Sequence, residues 1–182
     1  MTTKIGLVAG AALALATACA TTPDTPGEQR GLHASASATL ETMADREPGL
    51  RRALHRAYAY VVFPEIAKGG MIVGGAHGIG VVYRQGRPVG YADLNQASIG
   101  AQLGGQSFAE VILLQDEQAY DRLLSDDFDL GADVSAVIVN TGAGAALRFD
   151  RGVAVLVMPR TGLMVDLSVH GQQIDFQAPP SG

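Results

Sequence analysis

The sequence predicts an α+β fold, a curved or barrel-like antiparallel sheet with N-terminal helices and one short inserted helix. Three observations carry that expectation. Apolar residues recur at helical spacing before Tyr58, and from Ala59 onward short β-branched and aromatic runs take over. Glycine is abundant, at 23 of 182 residues, well above the usual ~7%. Much of it sits inside the apolar runs, which suits bent, bulged or closely packed strands more than flexible spacers. With 47% apolar and 17% charged residues, the chain can fill a sizeable core as one domain plus a terminal extension.

The elements follow in order. Leu32, Leu40, Met43 and Ala44 place a first helix over residues 32–46. Glu47-Pro48 breaks it, and Pro48 suits the first turn of a second helix whose apolar stripe is Leu50, Ala53, Leu54 and Ala57. Arg51, Arg52, His55 and Arg56 fall mostly off that stripe. Residues 58–63 read as a strand ended by Pro64. Residues 71–75 and 79–84 read as two arms of a hairpin around Ala76-His77-Gly78, and Gln85-Gly86-Arg87-Pro88 reads as a turn. Residues 89–94, 97–103 and 107–115 read as further strands.

Asp116 is placed to cap a short helix over 117–124, with Ala119, Tyr120, Leu123 and Leu124 as its apolar face. A loop is expected over 125–131, then strands at 134–140, 153–158, 163–169 and 173–176, with a hairpin turn at Gly171.

Cys19 is the single cysteine, so no intramolecular disulfide can form. Lys4 precedes an apolar run from Ile5 to Ala16. That run is shorter than the ~20 residues a spanning helix needs and matches the core of a secretory signal. Ala16-Thr17-Ala18 is a small-x-small cleavage site, and with Cys19 next it resembles the lipobox of bacterial lipoproteins. The resemblance implies a lipidated Cys19 as the mature N-terminus, and Ala20 after it implies the outer membrane, facing the periplasm. The alternative is an ordinary cleaved signal that leaves a free thiol. Thr21 to Glu28 has the Pro/Thr/acid composition of a tether.

Several enzyme signatures fail on spacing. Gly75-Ala76-His77-Gly78-Ile79-Gly80 lacks the Gly-x-Gly-x-x-Gly pattern and precedes a strand. Gly105-Gln106-Ser107-Phe108-Ala109 has Ala109 where a nucleophile elbow has glycine. His33, His55, His77 and His170 are scattered, without metal-ligand spacing. Asp127, Asp129, Gly131 and Asp133 alternate as calcium ligands can, yet the EF-hand ligand order and its terminal Glu are absent. No cofactor, metal or catalytic residue is expected. A net charge of −5 argues against nucleic acid as a partner.

One succession is more specific. Tyr60-Val61-Val62-Phe63-Pro64-Glu65-Ile66-Ala67-Lys68-Gly69-Gly70-Met71-Ile72-Val73-Gly74-Gly75 is followed by Gly78-Ile79-Gly80-Val81-Val82. Ala97-Ser98-Ile99-Gly100-Ala101-Gln102-Leu103-Gly104-Gly105 and Leu130-Gly131-Ala132-Asp133 come next, then Arg160-Thr161-Gly162-Leu163. This ordered series of glycine-bounded strands resembles the SYLF family, a lipid-binding domain of bacterial lipoproteins and of eukaryotic proteins that link membranes to actin. The resemblance covers about residues 32–176; Met164-Val165-Asp166 stands where the family has Phe-Ala-Gly. It divides the chain into a signal peptide (1–18), a lipidated N-terminus and tether (19–31), a SYLF-like domain (32–177) and a tail (178–182).

Eukaryotic SYLF domains bind phosphoinositides, partly through a basic N-terminal helix. Arg51, Arg52 and Arg56 occupy the corresponding place here. The resemblance therefore implies anionic phospholipid headgroups as partners, phosphatidylglycerol or cardiolipin in a bacterial envelope. Lys68, before Gly69-Gly70, is a fourth candidate, because backbone N–H groups there can form an anion nest. The bland reading is that these arginines solvate a helix face and pair with Glu47 or nearby acids. The alternative function is an envelope scaffold that recognises a protein partner through exposed strand edges.

Overall fold

The computed structural model describes residues 22–70, 73–99, 106–125, 128–130, 136–139, 147–161 and 171–179. Cys19 and the preceding signal, the expected strand at 163–169, and Asp127, Gly131 and Asp133 of the acidic loop lie outside the described residues.

The first helix, α1, spans Pro26–Arg46 and starts before its expected position at residue 32. Its start is set by a capping box: Thr25 Oγ1 accepts from the Glu28 N–H at 3.2 Å, and Glu28 Oε2 accepts from the Thr25 N–H at 3.0 Å. Such a cap contributes about 1 kcal/mol, enough to extend a helix into sequence that composition alone reads as tether. Residues 26–31 are thus helical, continuous with the rest of α1. The second helix, α2, spans Pro48–Arg56 as expected, with Pro48 in its first turn and the Glu47 carboxylate accepting from Gly49 N–H.

Eight strands follow: β1 (Ala59–Gly70), β2 (Val73–Arg84), β3 (Arg87–Ile99), β4 (Gln106–Leu114), β5 (Phe128–Leu130), β6 (Ala136–Ile138), β7 (Val153–Thr161) and β8 (Gln172–Gln177). Helix α3 (Glu117–Leu124) lies between β4 and β5, capped by Asp116 as expected. The strands form one sheet in the order β5-β8-β3-β2-β1-β4-β7-β6, antiparallel at every junction except the parallel β6–β7 pair.

Four sequence expectations are corrected here. Pro64 does not end β1; it sits in a register shift between Val62 and Ile66, where a missing N–H leaves no broken ladder bond. Residues 76–78 are not a hairpin turn, because β2 runs unbroken through them, paired with β1 and β3. The glycines are there for close approach. A Cβ on Gly80 would lie 2.7 Å from Phe63 Cδ1, and one on Gly78 would lie 2.8 Å from Ile66 Cγ1. Bare backbone makes room for the side chains that bulge out of β1. Likewise residues 87–99 are one strand rather than two, and residues 128–130, expected as loop, pair with β8 as an edge strand.

Each long strand buries both faces. Ala59, Val61, Phe63, Ile66, Phe108 and Ile112 belong to an inner cluster that α3 closes with Ala119, Tyr120 and Leu123. Tyr60, Val62, Val81, Tyr83, Val111 and Leu113 belong to an outer cluster, covered by Ala36, Met43 and Ala44 of α1 and Leu50 of α2. α1 is fastened to this outer face by polar contacts: the Arg160 guanidinium donates to Thr39 Oγ1 at 2.9 Å, and His33 Nε2 meets Tyr91 Oη at 3.2 Å.

The sheet is curled. Phe128, Leu130 and Ile174, near one end of the strand order, share the inner cluster with Val153, Val155 and Val157, near the other end. Among the described residues its terminal strands β5 and β6 have three residues each, whereas β1 to β4 are paired on both sides. Among the described residues β8 covers Tyr91–Gln96 of β3, while β1, β2 and β4 each lie between two partner strands.

Candidate functional site

α2 is amphipathic in the sense the sequence implies. Leu50 is buried against the outer cluster, Ala53 and Leu54 are half-buried, and Arg51, Arg52, His55 and Arg56 are exposed. Arg51 Nη2 forms an ion pair with Asp45 Oδ1 at 2.6 Å, with side chains 58% and 74% exposed. A pair this open to water contributes little and exchanges readily. Arg52 and Arg56, at i and i+4, have no ion pair among the described residues. α2 therefore presents two uncompensated guanidinium groups to solvent and a third that is loosely held.

Lys68 is in another place. It lies nine residues along β1 from Ala59, about 30 Å at strand rise. It pairs with Ala76 and Gln106 and is 5% exposed, on the inward face of the sheet. The fold does not bring it to the α2 arginines.

Between α1, α2 and the β2–β3 turn lies a cleft of about 550 Å³. Its less exposed lining is Leu40, Ala44, Leu54, Ala57 and Tyr60; its exposed rim carries Glu41, Arg51 and His55. Tyr60 stacks on Tyr83 with ring centroids 5.0 Å apart, and burial raises the phenol pKa of both. This apolar floor with a charged mouth was not foreseen from the sequence, because it depends on how Glu47 folds α2 back against α1. The nearest signal was the coincidence of an α2 apolar stripe with adjacent basic residues.

The inner face holds a second unforeseen feature. Glu110 of β4 is fully buried, and its Oε2 accepts from Gln172 Nε2 of β8 at 3.2 Å. Burial pushes the Glu110 carboxyl pKa up to about 8, with the Gln172 hydrogen bond acting weakly the other way. Among the described residues no group of three or more His, Cys, Asp or Glu side chains is arranged to hold a metal. No helix there is long and apolar enough to cross a membrane.

A family model, Ysc84, described as "Las17-binding protein actin regulator", matches residues 95–178, the stretch holding the end of β3 and everything through β8. Among curated proteins, Beta cell expansion factor A of Aeromonas veronii is similar, 24% identical over 153 residues. The alignment covers 83% of this chain and 58% of that protein, so the chain spans under two thirds of its relative's length.

Proposed function

We propose that this chain, which carries the SYLF (Ysc84) domain over residues 95–178, is a non-catalytic module that binds anionic phospholipid headgroups at a membrane surface. Family membership supports lipid binding in general. The observation that carries the finer reading is the exposed, uncompensated Arg52–Arg56 pair on α2, beside a cleft with an apolar floor. In a chain of net charge −5 such a local basic face stands out as the place where an anionic surface can be met. Cys19 adds the anchor: several acyl chains on a mature N-terminal cysteine give stable attachment where one would not. The setting that follows is the periplasmic surface of the outer membrane.

The test is co-sedimentation with phosphatidylglycerol-containing vesicles at two salt concentrations, using the chain with Cys19→Ser. Each cation near an anionic surface contributes about 1 kcal/mol, so Arg52→Ala with Arg56→Ala should weaken partitioning by about 30-fold at low salt and less at high salt. Unchanged binding would overturn the headgroup reading.

A further inference from the structure

We infer that the α1–α2 cleft holds a single zwitterionic phospholipid, one whose headgroup joins a phosphate to a primary ammonium, with an acyl chain lying over the cleft floor. This rests on the lipid-binding reading above and goes beyond it, naming a lipid class and a site distinct from Arg52 and Arg56. Charge complementarity carries it. Asp45 on α1 and Arg51 on α2 face each other and are closed by the 2.6 Å ion pair. One turn before Asp45 stands Glu41, and one turn after Arg51 stands His55. Glu41 and His55 both line the cleft, both are exposed, and neither has a hydrogen bond or ion pair among the described residues.

The mouth is therefore two-signed, with the Glu41 carboxylate on the α1 wall and N–H donors on the α2 wall. A headgroup bearing negative charge alone would face Glu41 with no cation of its own to offset it. A phosphate set against Arg51 and His55, with the ammonium turned to Glu41, satisfies both walls. His55 offers an N–H in either protonation state. The exposed Arg51–Asp45 pair can open to admit the phosphate, since it is screened by water. Beneath lie Leu40, Leu54 and Ala44, beside Tyr60, which stacks on Tyr83. Hydrocarbon covering that floor is driven by the same apolar burial that built it.

Isothermal titration of the full chain carrying Cys19→Ser would test this, with monomeric lysophosphatidylethanolamine and lysophosphatidylglycerol of equal acyl length as probes. The ethanolamine lipid should bind more tightly, and Glu41→Gln should weaken it about tenfold while tightening the glycerol lipid, whose phosphate no longer faces that carboxylate. Glu41 is exposed, so this variant does not threaten folding. Equal binding of the two lipids, no binding of either, or an ethanolamine affinity indifferent to Glu41→Gln would overturn the inference. The Arg52→Ala, Arg56→Ala variant should keep cleft binding, so its vesicle result judges the surface reading alone.

Discussion

Gln172 Nε2 donates to Glu110 Oε2 at 3.2 Å, although three strands separate β8 from β4 in the sheet. In a flat sheet those strands would lie about 19 Å apart. The two side chains meet because the sheet curls until its β8 and β4 regions face each other, and they join across the interior without a shared backbone ladder.

Burial of Glu110 at that contact gives the stability of the fold one pH-dependent contribution. Glu110 has its folded pKa raised to about 8 from an ordinary 4.5. The folded state then binds the proton more tightly than the unfolded state. This contribution is fully present below about pH 4.5 and is lost as pH rises to about 8. Glu110→Gln keeps the shape and removes the titration. Its melting temperature should fall less between those limits than that of the unsubstituted chain, measured by circular dichroism across a pH series. Parallel curves for the two proteins would refute the assignment.

Gly80→Ala should be destabilising by about 1–3 kcal/mol. The added Cβ would lie 2.7 Å from Phe63 Cδ1 and 2.9 Å from the Val62 carbonyl oxygen, and the carbonyl cannot swing aside as a side-chain tip can. Urea unfolding should show a lower midpoint with an unchanged slope. A midpoint equal to that of the parent would mean that the bulged segment of β1 yields more easily than its close packing implies.

Cys19→Ser should move the protein from the membrane fraction to the soluble fraction of a lipoprotein-processing host. The same substitution should abolish labelling by a metabolically supplied fatty acid. Labelling that persisted would exclude acylation at Cys19.

Much of the fold was legible because period and punctuation agree over most of the chain. Pro48 and the α2 stripe placed one helix, Asp116 placed another, and the change of period at Ala59 marked the start of the sheet. Glycine caused the principal misreading. Gly78 looks like a turn residue in sequence, yet it lies within β2 together with Gly74, Gly75 and Gly80, and Gly80 makes room for the Phe63 ring. A neighbour brought close only by strand pairing leaves no local trace. Pro64 misled similarly, since its tolerance depends on a bulge that two partner strands define. Of the headgroup candidates, Arg51, Arg52 and Arg56 share α2 as their spacing implied. Lys68 could not be placed without knowing which face of β1 turns inward. The cleft and the Glu110–Gln172 contact join segments far apart in the chain, and no window of sequence contains either.

Val61 and Val62 are consecutive in β1 yet belong to opposite cores, as do Ile112 and Leu113 in β4 and Val155 and Leu156 in β7. The sheet is thus a party wall, with both rooms resting on the same backbone. Loosening the helical cover withdraws support from strands that also line the inner room, so the two layers should melt together as one cooperative unit. A lipid seated between α1 and α2 would stabilise residues it never touches, and a thermal shift of the whole domain would register its arrival.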